Sequence, residues 1–238
     1  MTKLTGKIAV VTGGTGALGQ VVIKRLRNEG CVVISTHSGG DRSKNLIRQS
    51  QYSGIVFKKV DVTNSMEVGS FFLEVNNEFG GIDILCNLVG GVIGKKPVEN
   101  ISHSEWDLML KMNLESVFNT MQHVIPIFKR NAYGRIINIA AVTGIHPEAN
   151  KAAYSVSKAG VIALTKGVGE ELKAIDSDIT VNAIAPSIIL TEANKQWGTV
   201  EEMKKWVTPE EIAEMIIFLA SGKAKSINGQ IIQMNGKV

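Results

Sequence analysis

Two side chains that could exchange protons lie one helical turn apart, at Tyr154 and Lys158. The i, i+4 spacing puts a phenol and an ammonium on the same face of a helix. A free tyrosine titrates near ~10, and a fixed positive charge nearby favours the phenolate and lowers its pKa. The pair therefore predicts an acid/base centre. The same spacing also occurs on ordinary surface helices, so the chemistry needs support from elsewhere in the chain.

That support comes from a glycine-rich segment, residues 12–19, which follows a short apolar run at residues 8–11 and precedes an amphipathic pattern. The order is typical of a strand, a glycine turn and a helix. Glycines let the backbone turn sharply and approach a pyrophosphate, which the helix N-terminus then binds through its amide groups. The residues predicted to bind a nucleotide in this turn are Gly13, Thr15, Gly16, Ala17, Leu18 and Gly19.

Both motifs need a sheet to position them, and the chain supplies one. Strand-like runs near residues 8–12, 31–36, 55–60, 82–88, 134–139, 179–185 and 231–234 alternate with longer helical patterns. Several runs are apolar without alternation, as expected of strands covered on both faces. The sequence predicts an α/β fold: a single Rossmann-like doubly wound domain spanning residues 1–238. Its mostly parallel sheet would have about seven strands, with helices on both faces.

Composition excludes several other classes of function. With 238 residues, 44% hydrophobic and 20% charged, the chain fits one domain with a large core. The net charge of +4 comes from dispersed basic residues, which argues against nucleic-acid binding. No apolar run approaches the ~18 residues of a membrane span, and the four histidines lack metal-ligand spacing. Cys31 and Cys86 lie in apolar strand-like runs, so we expect reduced core thiols in a cytoplasmic protein.

The two motifs together resemble the short-chain dehydrogenase/reductase family, and the resemblance extends over residues 7–236. Other family marks follow in order: Asp61 and Val62 after the third strand, an Asn-Leu-Val-Gly segment at residues 87–90, Asn113, and a proline segment at residues 186–191. The resemblance implies that Tyr154 donates the proton. It also implies that Lys158 binds the nicotinamide ribose and lowers the tyrosine pKa, while Asn113 holds a water that links the lysine to solvent.

The same resemblance implies further contacts with the cofactor. Asp61 would bind the adenine amine, and Thr191 would reach the nicotinamide amide. The remaining residues implied at the cofactor are Val62, Asn87, Gly90, Pro186 and Ile189. Residues 191–208 would form a short substrate lid. Trp197 and Trp206 in this lid either close over a flat substrate or pack the lid onto the body.

The chain departs from the family pattern thirteen residues before Tyr154, where Ala141 stands in place of the family's catalytic serine. Alanine has no hydroxyl to donate to a substrate oxygen, and deleting one such donor typically costs about 3–4 kcal/mol of transition-state stabilisation. Thr143 could supply a hydroxyl if the chain stays extended, because i and i+2 share a face. A structural role for this threonine is the alternative. Dihydropteridine reductases also lack the serine, and their glycine turn is similar.

Cofactor choice depends on the end of the second strand, where an acidic side chain would bind the adenosine ribose and exclude a 2′-phosphate. His37 stands at this position, followed by Ser38 and, nearby, Arg42. This set can accept a phosphate, so NADP(H) is favoured and NAD(H) remains possible. Dihydropteridine reductases usually carry the acid here, which counts against close identity with them.

The sequence thus predicts an NAD(P)H-dependent oxidoreductase that transfers hydride between nicotinamide and a small carbonyl or imine-like substrate. Two alternatives remain open. One is a nucleotide-binding or regulatory homologue that has lost catalysis, with Ala141 as its sign. The other is a 3-oxoacyl-acyl-carrier-protein reductase, which would need a basic docking patch, and its candidates are Lys95, Lys96, Lys129 and Arg130. The family commonly forms tetramers, and the apolar Val161, Leu164 and Val168 are compatible with a homo-oligomer.

Overall fold

Seven strands and eight α-helices alternate along the chain in the computed structural model, which describes residues 4–49, 52–175 and 177–237. The strands are β1 (Ile8–Thr12), β2 (Val32–His37), β3 (Ile55–Lys59), β4 (Ile84–Asn87), β5 (Tyr133–Ile139), β6 (Asp178–Pro186) and β7 (Ile231–Met234). The helices are α1 (Ala17–Asn28), α2 (Asp41–Ile47), α3 (Ser65–Phe79), α4 (His103–Leu110), α5 (Ser116–Asn131), α6 (Ala152–Lys173), α7 (Val200–Met203) and α8 (Pro209–Ala220).

The strands form one parallel sheet in the order β3-β2-β1-β4-β5-β6-β7. The order reverses between β1 and β4, so the loops after these two strands diverge to opposite sides and leave a crevice at their carboxyl ends. Ligands bind at such a switch point in open α/β sheets. The predicted doubly wound α/β fold is confirmed, and each predicted strand lies within a few residues of its expected position.

Helices cover the sheet on both faces. Consecutive residues of a strand point to opposite faces, so each strand contributes side chains to two core clusters. On one face Val11, Val33 and Ile84 pack in the same core cluster as residues of α1 and α8. On the other face Val10 and Ile34 belong to a second cluster with residues of α3, α5 and α6. Both faces of each central strand are buried, which explains the absence of alternation in the sequence.

Two of the apolar α6 residues considered for an oligomer contact belong to the core instead. Val161 is fully buried and Val168 is 8% exposed, and both pack in the second cluster. Leu164 is partly buried, and it lines an apolar hollow on the outer face together with Leu114 and Phe118. Phe118 is 46% exposed. The exposed apolar surface beside α6 is therefore formed by Leu114, Phe118 and Leu164 rather than by the two valines.

The segment predicted as a lid follows β6. It contains a 3₁₀ turn at Lys195–Trp197 and the short helix α7, and an isolated bridge joins Ile189 to Val207 at its base. The Trp206 ring packs against Gly198, where an added Cβ would lie 2.5 Å from the ring, while Trp197 is 50% exposed. Trp206 thus packs within this segment, whereas half of the Trp197 surface is exposed.

None of the helices among the described residues is long and apolar enough to cross a membrane. The same residues include no group of three or more His, Cys, Asp or Glu side chains arranged to hold a metal ion. Cys31 and Cys86 are both buried, and burial raises the pKa of the Cys31 thiol to about 12.

Candidate active site at the carboxyl ends of the strands

The glycine-rich turn between β1 and α1 is built so that side chains are excluded from it. Gly13 has a φ of +69°, in the left-handed region that favours glycine. A Cβ at Gly14 would overlap the hydroxyl of Ser35, and one at Gly19 would overlap the carbonyl oxygen of Gly13. The positive φ and the two overlaps explain why the segment needs glycine at these three positions. With glycine there, the start of α1 can lie close to the end of β1.

The N-terminus of α1 is open. Gly16 occupies the N-cap without a side-chain hydrogen bond, and the first turn contains no acidic residue. The amide groups of Ala17 and Leu18 therefore lack both a capping side chain and an intrahelical acceptor. A diphosphate fits such an end, because the amide groups and the helix dipole both favour negative charge. Thr15 lies on the adjacent α2 side, where its hydroxyl accepts a hydrogen bond from Ser43 at 3.4 Å.

The ends of β1 and β4 are tied together by Thr12, whose hydroxyl accepts hydrogen bonds from the amides of Leu88 (3.0 Å) and Val89 (3.4 Å). Asn87, predicted at the cofactor, has a buried side chain with two polar partners: it donates to Asn138 at 2.9 Å and accepts from Thr120 at 2.8 Å. Its amide thus joins β4 to β5 and α5.

Asn113 is fully buried in a π-helical segment, Lys111–Glu115, between α4 and α5. Such one-turn π segments are frequent at functional sites. Its side-chain oxygen accepts from the Gly91 amide at 2.9 Å, and its side-chain nitrogen donates to the Gly91 carbonyl at 3.0 Å. The amide therefore holds the Gly90–Gly91 turn from both sides.

Gly90 lies at the meeting point of the predicted catalytic residues. A Cβ added there would be 2.7 Å from the Asn113 Oδ1 and 3.1 Å from the Lys158 Nζ. Lys158 is 3% exposed, and its ammonium donates to the carbonyl of Ile139 at 2.8 Å. Burial lowers the pKa of Lys158 to about 8. A buried cation with a single carbonyl partner is unusual outside functional sites.

Tyr154 differs from the sequence-based expectation in one property. The lysine was expected to lower the tyrosine pKa, whereas burial, assisted by the Glu148 carboxylate, raises the pKa of Tyr154 to about 12. The Lys158 Nζ lies 6.0 Å from the centroid of the Tyr154 ring and is directed to the Ile139 carbonyl. Desolvation of the phenol therefore dominates, and the phenol is protonated at neutral pH.

Ala141 lies at the end of the β5 region with an extended backbone and is 6% exposed. The chain does not stay extended beyond it, because Val142–Gly144 form a 3₁₀ turn closed by a hydrogen bond from the Gly144 amide to the Ala141 carbonyl. Thr143 therefore does not share a face with Ala141. Its hydroxyl is buried, and no described residue lies within hydrogen-bonding distance of it. The condition for Thr143 to replace the missing serine is not met.

The residues predicted at the adenosine end of the cofactor include Asp61, Val62 and His37. Asp61 is exposed, and one of its oxygens accepts from both the amide (2.9 Å) and the hydroxyl (2.7 Å) of Thr63, which lowers the pKa of the carboxyl. The other oxygen is free of these bonds. Val62 is buried in the core, and its carbonyl accepts from Asn119 at 3.2 Å.

His37 ends β2, and its Nδ1 accepts a hydrogen bond from the Gly39 amide at 3.1 Å. Burial lowers the pKa of His37, and the Lys59 ammonium lowers it further. The imidazole is therefore neutral near pH 7, with its proton on Nε2. Ser38 follows in the β2–α2 loop, and Arg42 belongs to α2 with a side chain outside the described part of the structure.

The third predicted cofactor segment follows β6. Pro186 is the last residue of the strand, and Ile189 forms the bridge at the base of the lid. Thr191 is the first residue of the predicted lid, and its carbonyl accepts from the Asn194 amide at 3.0 Å. This segment and the glycine turn lie at the same edge of the sheet, because both follow the carboxyl ends of parallel strands.

Sequence reasoning missed several groups that shape the site. The Ile139 carbonyl holds Lys158, Gly91 holds Asn113, and Thr12 fixes the turn after β4. Backbone acceptors and amides carry no residue-type signal, so the first two could not be read from the sequence. Thr12 directly precedes the glycine turn, and that position was the only available clue.

Comparisons with known proteins agree with this geometry. A family model described as Enoyl-(Acyl carrier protein) reductase matches residues 13–236. The 3-oxoacyl-acyl-carrier-protein reductase FabG of Aquifex aeolicus is 31% identical, with 98% of each chain covered. The D-beta-hydroxybutyrate dehydrogenase of Cupriavidus necator is 30% identical, again with 98% of each chain covered.

Solved structures show the same fold. The crystal structure of gox2181 matches with a TM-score of 0.90 and 25% identity, covering 98% of this chain and 95% of the other. Levodione reductase matches with a TM-score of 0.88 at 24% identity, covering 98% of both chains.

Proposed function

Because this chain belongs to the short-chain dehydrogenase/reductase family, we propose that it is an NAD(P)H-dependent reductase of a small carbonyl or imine-like substrate. The observation that carries the proposal is the convergence on Gly90 of the Lys158 ammonium and the Asn113 amide, one helical turn from the Tyr154 phenol. The buried lysine favours an active enzyme over a homologue without catalysis. A buried cation without an opposite charge lowers the stability of the fold, and such groups are found mainly where they serve a function.

In this proposal Tyr154 donates a proton to the substrate oxygen or nitrogen. A pKa of about 12 keeps the phenol protonated at neutral pH, so the proton is present for the reductive direction. Lys158 would hold the nicotinamide ribose, and its charge would stabilise the phenolate left after proton transfer. Asn113 fixes the Gly90–Gly91 turn beside the ammonium, and its predicted water remains part of the proposal. When bound, the cofactor supplies the hydride.

The cofactor contacts predicted from the sequence enter the proposal with one adjustment. The open N-terminus of α1 supports diphosphate binding, and Asp61 has an oxygen free for the adenine amine. Asn87 would contribute through its backbone, because its side chain is held by Asn138 and Thr120. NADP(H) is favoured over NAD(H), since the ribose end offers His37 in place of a carboxylate.

Ala141 narrows the substrate class. Without a hydroxyl donor at this position, the reaction loses transition-state stabilisation. This loss is smaller for a substrate with its own polarisation, such as a quinonoid pterin or an activated dicarbonyl, than for a simple ketone. The test is a substrate panel with NADPH and with NADH, read by loss of nicotinamide absorbance. Ala141→Ser should raise kcat/KM for unactivated ketones, by up to about 10²–10³-fold, and change the native reaction little.

Outcomes of the panel separate the alternatives. Turnover of activated substrates by the wild type, with a gain on ketones in the serine variant, supports the proposal. Consumption of neither cofactor with any substrate, in a protein that still binds nucleotide, would support the non-catalytic homologue instead. Oxidation of the cofactor in the absence of any carbonyl or imine compound would contradict both the proposed reductase and the non-catalytic homologue.

A second candidate is reduction of a 3-oxoacyl thioester. It is favoured by the FabG relative, which is similar over 98% of its length. The predicted docking patch does not support it: Lys96 is paired with Glu105 near the start of α4, whereas Lys129 and Arg130 lie in the last turn of α5. About 24 residues of α4, the π-helical segment and α5 lie between the two sites. A 3-oxoacyl thioester in the same panel tests this candidate directly.

We also propose that the chain forms a homo-oligomer through α5 and α6. The support is the apolar hollow lined by Leu110, Leu114, Phe118 and Leu164, with Phe118 46% exposed. Phe118→Lys should disperse the assembly, measured by light scattering. A cytoplasmic location stays a prediction from the sequence.

A further inference from the structure

The ribose end of the crevice contains a cation that the sequence did not point to. His37 ends β2 and Lys59 ends β3, and the two residues are paired across the parallel strands. Side chains of such partners point to the same face of the sheet. Lys59 is 22 positions from His37 along the chain, so only the strand register brings it to this site.

The position of the Lys59 side chain is given by its contact with the β2–α2 loop. A Cβ at Gly39 would lie 3.2 Å from the Lys59 Cε and 3.7 Å from its Cδ. The aliphatic stem therefore runs along Gly39, directly after His37 and Ser38. The loop backbone approaches closely because Gly39 has a φ of +100° and no side chain.

The charge of Lys59 is available to a ligand. Residue 59 is exposed, and no carboxylate of the described residues pairs with its ammonium. The neighbouring Lys58 is different, because its Nζ lies 2.7 Å from Glu74 and 3.3 Å from Glu78. Lys59 is therefore the free member of the lysine pair at the end of β3.

His37 cannot supply this charge. Its Nδ1 accepts from the Gly39 amide, so the neutral ring presents one N–H, at Nε2. Lys59 contributes to keeping the ring neutral, since its ammonium disfavours a second positive charge nearby. The pair thus offers one cation and one neutral donor, which suits a dianionic group that needs both charge and hydrogen bonds.

We propose that Lys59 binds the 2′-phosphate of an NADP(H) adenosine, with the His37 Nε2–H as a second donor, and that it sets the cofactor preference of this chain. The inference rests on the proposed function. The charge that selects NADP(H) over NAD(H) would then come from β3 rather than from the β2–α2 loop. A charge-assisted hydrogen bond to a phosphate accounts for a preference of about tenfold or more.

The test compares wild type, Lys59→Gln and Lys58→Gln by titration of nicotinamide fluorescence with NADPH and with NADH. Both variants lose one positive charge at adjacent positions, so Lys58→Gln controls for the change in net charge. The measured quantity is the ratio of the two dissociation constants. We expect wild type to bind NADPH at least about tenfold more tightly. Lys59→Gln should bring the ratio close to one by weakening NADPH alone, and Lys58→Gln should keep the wild-type ratio.

Three results would overturn the inference. The first is an unchanged ratio in Lys59→Gln, and the second is a wild type that binds both nucleotides equally or prefers NADH. The third is an equal loss of preference in Lys58→Gln, which would assign the effect to net charge. In these cases nucleotide binding persists and the proposed function stands. A wild type that binds neither nucleotide overturns the proposed function and this inference with it.

Discussion

The two ends of the parallel sheet differ in the partners that they provide for buried positive charges. At the amino ends, Lys7 pairs with Asp83 at 2.8 Å, and the fully buried Arg135 pairs with Asp178 at 2.7 Å. The Tyr133 ring lies between the two cations, 3.6 Å from the Lys7 Nζ and 4.6 Å from the Arg135 guanidinium carbon. Each cation there has a carboxylate partner and an aromatic face.

At the carboxyl ends, the equally buried Lys158 has a carbonyl as its partner and no carboxylate among the described residues. Burial lowers its pKa to about 8 and raises that of Tyr154 to about 12. The buried Arg135 is therefore neutralised by a carboxylate, whereas the buried Lys158 is not. Buried ionisable groups without an opposite charge are enriched at functional sites.

The largest expected effect comes from Tyr154→Phe. Removing the phenolic proton should lower kcat by about 10²–10⁴-fold while leaving nucleotide affinity within about twofold. The matched control is Tyr133→Phe, the same substitution at the amino ends, which should leave kcat unchanged. Steady-state kinetics and fluorescence titration measure the two quantities. Retention of most activity by Tyr154→Phe would remove this tyrosine from the mechanism.

The second prediction concerns stability at the amino ends. Arg135→Ala removes a fully buried side chain that pairs with Asp178 and donates to the carbonyls of Gly134 and Asp178. Loss of packing and of these bonds should lower the free energy of unfolding by about 3–5 kcal/mol, measured in denaturant. The variant that remains folded should keep its kcat. A large drop in kcat with unchanged stability would contradict the division between the two ends.

Much of the fold followed from the sequence because its signals are local. Unalternated apolar runs at β1, β2 and β5 require two covered faces, and the glycine turn requires a strand before it and a helix after it. The i, i+4 spacing of Tyr154 and Lys158 likewise survives folding, since a helix fixes it.

The remaining features depend on contacts between distant segments. The raised pKa of Tyr154 results from burial and from Glu148, in a loop whose path the sequence did not specify. The 3₁₀ turn at Val142–Gly144 overrides the extended path that would have placed Thr143 beside Ala141. Lys59 reaches His37 only through strand register. Residue type and spacing carry none of this information.

The third prediction sharpens the contrast by removing the uncompensated cation. The folded-state pKa of Lys158 is about 8, below its ordinary 10.5, so the unfolded chain binds this proton more tightly. The resulting penalty on the folded state is full below pH 8 and disappears as the pH rises through 10.5. This penalty amounts to about 3 kcal/mol at most. Replacing Lys158 removes the penalty, but the loss of its hydrogen bond to Ile139 offsets part of the gain in stability.

Lys158→Met should therefore abolish turnover and yet raise the free energy of unfolding by about 1–2 kcal/mol at pH 7. The gain should shrink near pH 10, where the wild-type lysine is largely neutral in the folded state. Lys173→Met, an exposed lysine on the same helix, is the control and should change stability by less than about 0.5 kcal/mol. A destabilised Lys158→Met at pH 7 would show that the cation is compensated after all.

The smallest expected effect separates a structural hydroxyl from a catalytic one. Thr143 has a buried hydroxyl without a partner among the described residues, and Thr165 has a buried hydroxyl that donates to the Val161 carbonyl and accepts from Asn138. Valine has nearly the same shape as threonine. Thr143→Val should then raise the free energy of unfolding by up to about 1 kcal/mol, whereas Thr165→Val should lower it by about 1–2 kcal/mol, because Asn138 loses its acceptor. Denaturant unfolding measures both, and kcat/KM of Thr143→Val should stay within about twofold of wild type. A loss of turnover of tenfold or more in Thr143→Val, with stability unchanged, would mean that this hydroxyl reaches the substrate despite the 3₁₀ turn and replaces the serine absent at Ala141.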